Sequence, residues 1–196
     1  MTPQRVVIVG ASIAGLTAAE NLRAEGFSGE IQLIGEEAHL PYSRPPLSKQ
    51  VLLDGWDKDQ TTIKNNVELL QEGIIFRGNT KALRLNPDTK QLETTGGAIT
   101  YDTLIIATGT NARRLESIPN ALTLRTIEDA LSLREKMKKA RHLVVIGTGV
   151  LASEIASAGR TFGADVTMVG RSNSLSFGSL GNLLSSKIED LHSRHG

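Results

Sequence analysis

Apolar residues along this chain fall into short runs, and one arrangement of runs and glycines occurs twice. The run RVVIV at 5–9 meets Gly10-Ala11-Ser12-Ile13-Ala14-Gly15, an alanine-rich stretch over 16–25, Gly26, and a second run at 31–34 that ends in Gly35-Glu36. Short, mostly apolar runs of this kind, bounded by glycine, read as buried strands, and the longer alanine-rich stretch between them reads as a helix. The same order returns late in the chain. Residues 142–146 read as a strand, Gly147-Thr148-Gly149-Val150-Leu151-Ala152 as a turn, the stretch through Phe162 as a helix closed by Gly163, and 166–169 as a second strand. Between the two units, 56–72 predicts irregular structure followed by a helix, and Ile74-Ile75-Phe76 a third strand. Alternating segments at 81–85, 91–95 and 99–101, the last two separated by Gly96-Gly97, predict a small antiparallel meander. Residues 103–107 predict a buried strand running into Thr108-Gly109-Thr110. Thr126 with Asp129 has the form of a capping box opening a helix to about 139. Its REKMKK cluster at 134–139 reads as a wet face, with cations favourably near the helix C-terminus. A last helix is expected over 180–192.

Strand, glycine turn, helix, strand and terminal acid is the order that a dinucleotide-binding βαβ unit requires. In the first unit Gly10 permits the sharp exit from the strand, and Gly15 lets helix and strand pack closely. The helix N-terminus, at Ser12, Ile13 and Ala14, presents N–H groups and positive dipole to a pyrophosphate. Glu36, 21 residues beyond Gly15, is placed to accept hydrogen bonds from the ribose hydroxyls of an adenosine. Ser12 stands where a second glycine is usual; serine is small and can donate. The second unit carries Gly147 and Gly149, with Ala152 in place of a third glycine.

Composition narrows the field. Lys and Arg number 22 against 21 Asp and Glu, a formal charge of +1, which favours neither nucleic acid nor an anionic membrane as a partner. No apolar run approaches the length of a membrane span, and the N-terminus shows no signal-peptide pattern, so a cytoplasmic α/β protein is expected. The chain contains no cysteine, which excludes disulfides, thiolate metal sites and an internal redox dithiol. Its four histidines are scattered, and no metal is expected. The loop LPYSRPPLSK at 40–49 holds three prolines within six residues, which forbids a central strand or a continuing helix before a short helix near 47–53. Arg44 and Lys49 flank it.

VVIVGASIAG followed by LIGEEAHLPYSRPPLSK resembles the N-terminus of the FAD-dependent ferredoxin and rubredoxin reductases, in the pyridine-nucleotide flavoprotein superfamily, and the resemblance extends over nearly the whole chain. It implies two Rossmann-like, three-layer ββα-type domains, FAD-binding over 1–112 and NAD(P)-binding over 113–196, both incomplete at the C-terminal side. The expected activity is oxidation of NADH or NADPH by FAD, with electrons leaving for a small iron–sulfur protein, a ferredoxin or rubredoxin. The family's loop lysine and arginine place Lys49 near the flavin ring and Arg44 near the flavin and its phosphates. Glu154, one helical turn into the second unit, matches the glutamate that pairs with that lysine. The backbone near Ala82 corresponds to an adenine contact, and Thr108 with Gly109 to a segment that closes over the FAD diphosphate. Arg113 and Arg114 beyond it read as solvated.

Two departures from the family pattern stand out. Where an NADH site carries an acid after its second strand, this chain has Gly170 and then Arg171; either arginine binds a 2′-phosphate, or it faces solvent and NADH is kept. The family also continues for about as many residues again, so the chain reads as a truncated N-terminal part. Two other readings stay open: a non-catalytic nucleotide-binding or assembly remnant, and a shortened relative of another cysteine-free branch such as apoptosis-inducing factor or monodehydroascorbate reductase. Uncovered faces and the edge at 103–107 predict self-association.

Overall fold

The computed structural model describes residues 4–171, 175 and 181–196, which form two compact units. The first comprises 1–43 with 58–111, and the second 44–57 with 112–196.

The first unit is built on a parallel sheet in the order β3-β2-β1-β7, with β1 at Arg5–Val9, β2 at Glu30–Ile34, β3 at Ile74–Arg77 and β7 at Thr103–Ile106. The register sets Val6 beside Ile31 and Thr103, and Val9 beside Ile34 and Ile106. Alternate side chains of β1 enter two different cores, as the period of two along a strand dictates. Val6 and Ile8 pack with Leu16 and Ala19 of α1 (Ile13–Ala24), with Leu69 of α4 (Asn66–Gln71), and with Leu33 and Ile74. Val7 and Val9 pack on the other face with Ile34 and Leu92. Leu92 belongs to an antiparallel meander of β4 (Ala82–Asn86), β5 (Gln91–Thr94) and β6 (Gly97–Thr100). Helices, parallel sheet and meander make three layers, and burial of both faces explains why residues 6–9 are apolar without alternation. Val7 and Ile8 are wholly buried, each stabilising the fold by about 1.5–3 kcal/mol. Residues 56–72 hold two short helices, α3 at Lys58–Thr61 and α4, which begins at a capping box between Asn65 and Glu68.

In the second unit β8 (His142–Ile146) and β9 (Asp165–Val169) pair in parallel and are joined by α6 (Val150–Thr161). Helix α5 (Ile127–Met137) starts at the expected box: the Thr126 hydroxyl accepts from Asp129 N–H at 3.2 Å, and the Asp129 carboxylate accepts from Thr126 N–H at 3.1 Å. Ile127, Ala130, Leu133 and Met137 form its buried stripe. The solvated reading of 134–139 holds for Glu135, Lys136, Lys138 and Lys139, which are exposed, and is corrected at Arg134 and Met137. Met137 is 2% exposed, and the Arg134 guanidinium donates to the carbonyls of Val51 and Trp56 at 3.0 and 3.2 Å. Those carbonyls lie in and just after α2 (Gln50–Leu53), which follows a 3-10 turn at Pro45–Ser48. Helix α7 spans Gly181–Arg194; the expected start at Leu180 lies outside the described residues. Among the described residues no helix is long and apolar enough to cross a membrane, and no group of three or more histidine or acidic side chains could hold a metal ion.

Candidate functional site

The turn of the first βαβ unit is held by backbone against backbone. Gly10 N–H donates to Ile34 O at 2.8 Å, and Ala107 N–H donates to Val9 O at 2.7 Å, so the carboxyl ends of β2, β1 and β7 finish level. Gly10 has φ +114°, and a Cβ there would lie 2.1 Å from the Ala107 carbonyl oxygen. At Gly15, on the first turn of α1, a Cβ would lie 1.9 Å from the Gly10 carbonyl oxygen. Glycine is demanded at 10 by conformation and space together, and at 15 by space alone. Thr108 and Gly109 come next, exposed, with Gly109 at φ +65°.

This turn delivers an uncompensated helix end. Ser12 takes the N-cap position in extended conformation, its side chain makes no capping bond, and the first turn of α1 carries no acid. The positive end of the helix is thus not neutralised by its own side chains, the condition in which a phosphate is favoured. Ile13 and Ala14 are exposed on that turn. Glu36, two residues beyond the β2 end, is exposed and paired with Lys81, Nζ to Oε1 2.6 Å. Sequence reasoning missed Lys81, which is 45 residues away and reaches Glu36 only because the meander folds back. Ala82 opens β4 half-buried and packs against the Val7–Val9 face of the sheet.

The second unit repeats the device with more space. Gly147 N–H donates to Val169 O at 2.8 Å, and Gly147 has φ +135°. Gly149 is the N-cap of α6, whose first turn also lacks an acid. Beyond β9, Gly170 lies against Thr148: a Cβ at 170 would meet Thr148 Cγ2 at 2.2 Å. Arg171 is exposed, like Arg113 and Arg114.

Lys49 and Glu154 are brought together although 105 positions separate them. Lys49, with φ −121° and ψ −96°, breaks the chain between the 3-10 turn and α2, and its Nζ lies 2.7 Å from Glu154 Oε1 on α6. The Ser48 hydroxyl, which sequence reasoning missed, donates to Glu154 Oε2 at 2.5 Å. Burial pushes the Glu154 carboxyl up, but the hydrogen bonds from Lys49 and Ser48, with the Lys49 charge, outweigh it and hold the group below the ordinary carboxylate value. Arg44 turns elsewhere, donating to the Arg125 carbonyl at 2.5 Å just ahead of α5. Ser48, Lys49, Glu154, Thr148, Val150 and Gly170 line one cleft of about 1260 Å³ in the second unit.

Comparison with known proteins agrees with this geometry. A family model described as pyridine nucleotide-disulphide oxidoreductase matches residues 4–196. The ferredoxin–NAD(+) reductase component of a p-cumate 2,3-dioxygenase system from Pseudomonas putida is 35% identical over 98% of this chain and 49% of its own length. Among solved structures, a ferredoxin reductase from Rhodopseudomonas palustris superposes with a TM-score of 0.94 at 33% identity, covering 98% of this chain and 49% of that one. The covalent putidaredoxin reductase–putidaredoxin complex gives a TM-score of 0.91 at 30% identity, covering 98% and 48%. The chain thus spans about half the length of the relatives it matches. It belongs to the pyridine nucleotide-disulphide oxidoreductase family, in the company of ferredoxin reductases.

Proposed function

We propose that this chain is the nucleotide-binding part of an FAD-dependent reductase that oxidises NADH or NADPH and passes electrons to a small iron–sulfur protein, a ferredoxin or rubredoxin. The observation that carries this reading is the cradle at 10–15. The two places where a Cβ would meet a carbonyl oxygen are both glycine, and the helix end behind them is free of its own acids. A dinucleotide pyrophosphate fits that chemistry, with Ser12, Ile13 and Ala14 around it and Glu36 toward the ribose. Exchange of the Lys81 ion pair for ribose hydroxyls is inexpensive, because both partners are more than half exposed. The names of the relatives, ferredoxin reductases by description, support the acceptor class.

Bound FAD would supply the redox chemistry, accepting a hydride and releasing single electrons. The chain supplies position and charge. We assign Lys49 and Glu154 to the flavin ring, where the lysine cation stabilises negative charge and Glu154, held ionised, orients it. Arg44, Ala82, Thr108 and Gly109 are assigned to the remainder of the FAD contact. Gly147 and Gly149 are assigned to the pyridine nucleotide, the intact turn on α6 supporting them. A cytoplasmic setting, where reduced pyridine nucleotides are available, suits this role. Self-association is part of the proposal. β7 is the last strand of its sheet, with Ile106 67% exposed, and Val144 in the second unit is 62% exposed, features that invite pairing between copies.

The test is to load the 196-residue chain with FAD, separate unbound cofactor, and read flavin absorbance, then bleaching by NADH and NADPH without oxygen. A yellow protein that bleaches slowly is expected. A folded protein that leaves all flavin in the free fraction overturns the reading.

A further inference from the structure

We infer that the second nucleotide turn is built for a ribose carrying a 2′-phosphate, so that NADPH rather than NADH is the pyridine nucleotide this chain selects, with Thr148, Gly170 and Arg171 setting that choice. The inference rests on the proposed pyridine-nucleotide role of Gly147 and Gly149.

Three observations converge. First, the position that follows β9 has no carboxylate to offer, since the sequence holds no Asp or Glu between Asp165 and Glu189. An NADH site uses an acid there to accept hydrogen bonds from both ribose hydroxyls, and the same acid repels a 2′-phosphate. Second, the room a side chain at 170 would need is taken by Thr148. A Cβ at Gly170 would lie 2.2 Å from Thr148 Cγ2, 3.2 Å from its Oγ1 and 3.3 Å from its Cβ. Gly170 has no left-handed backbone to explain the residue. Room rather than conformation favours glycine, because the stiff, β-branched Thr148 fills that space in its present rotamer. Third, Arg171 comes directly after it, exposed, and among the described residues it makes neither an ion pair nor a hydrogen bond. An exposed guanidinium at this position is a ready partner for a phosphate dianion, to which it can offer two parallel N–H donors. The absence of an acid removes the repulsion, and the arginine adds the attraction.

Binding of adenosine 2′,5′-bisphosphate and of adenosine 5′-monophosphate, measured by calorimetry on the whole chain, separates the cases without needing turnover. The bisphosphate is expected to bind about tenfold or more tightly than the monophosphate, with the ratio shrinking as salt is raised. Arg171→Gln should bring the ratio close to one while leaving the monophosphate as it was; because Arg171 is exposed and makes no hydrogen bond or ion pair among the described residues, this variant is expected to keep the fold. The paired change Gly170→Asp with Thr148→Ala should push the ratio below one. Equal binding of both ligands by the unaltered chain, or a ratio untouched by Arg171→Gln, overturns the 2′-phosphate assignment and leaves the nucleotide site standing. No binding of either ligand by folded protein overturns both.

Discussion

Glu154→Gln removes one charge and almost no volume, and its consequences follow from the geometry around Lys49. Two unit charges 2.7 Å apart attract by about 1.5 kcal/mol at the dielectric of bulk water, and solvent-open pairs return about 0.2–1 kcal/mol after side-chain ordering is subtracted. The Lys49 side chain is 49% exposed and Glu154 27%, so the pair lies on the enclosed side of that range. We expect a coupling of about 1 kcal/mol from a cycle of Glu154→Gln, Lys49→Met and the double variant, read by urea unfolding with circular dichroism. The sign with pH is fixed. The folded Glu154 carboxyl is held below its ordinary value, so its contribution is complete above the unfolded pKa and disappears as pH falls through the folded one. The stability gap between the parent and Glu154→Gln should therefore be present at neutral pH and close as pH falls below the ordinary carboxylate range, and about 1 M salt should narrow it at neutral pH. An equal gap at both pH values, or a cycle that closes to zero coupling, would refute the idea that Lys49 holds this carboxylate ionised.

Two further outcomes bear on the first unit. Gly15→Ala should destabilise it by about 3 kcal/mol, the upper end of overpacking costs, because its Cβ would meet a backbone carbonyl that cannot rotate away; unchanged urea unfolding would count against the close crossing. Glu36→Ala should leave stability almost unchanged, its ion pair being exposed, yet weaken ADP or FAD by about 1–3 kcal/mol in calorimetry; unaltered affinity would remove Glu36 from the site.

How far these features are legible in the sequence depends on the distance over which each is decided. Strands 5–9 and 31–34 could be read because burial of a parallel strand writes itself into consecutive residues, and both glycine turns because a local conformation demands them; 142–146 is as apolar in sequence, although only Val145 of it is buried. The Thr126–Asp129 box needs only four residues. Met137 and Arg134 were misjudged because a buried stripe hidden in REKMKK looks charged until α5 is packed, and because the carbonyls of Val51 and Trp56 lie about 80 positions away. Lys81 on Glu36, and Ser48 on Glu154, are likewise products of topology. The pairing of Lys49 with Glu154 was anticipated only through resemblance to a family; nothing in their local sequences announces it. Gly170 is the subtlest case. Its meaning was ambiguous in sequence, and only the methyl group of Thr148 shows that glycine is there for room.

The two βαβ units solve one packing problem at different points along their helices. In the first, α1 crosses the sheet at its own beginning: Gly15 touches the Gly10 carbonyl, and Ala107, just after β7, closes over Gly10, so a side chain at either glycine meets backbone. In the second, a Cβ at Gly147 would meet only Ala152 Cβ, at an ordinary 3.5 Å, so the third-glycine position accepts alanine. The tight crossing has moved to Gly159, where a Cβ would lie 2.5 Å from Leu143 Cδ2 and 3.1 Å from Val166 Cγ2. Seven residues separate Ala152 from Gly159, about two helical turns on the same face. Helix α6 thus approaches β8 and β9 most closely away from its N-terminus and leaves the end proposed to face a phosphate less confined. A tightly walled first turn suits a cofactor that stays bound, and a looser second turn suits a nucleotide that must arrive and leave with each cycle. The same spacing explains why loss of the glycine fingerprint at Ala152 does not weaken the assignment: the close approach the third glycine exists to permit is still made, by Gly159.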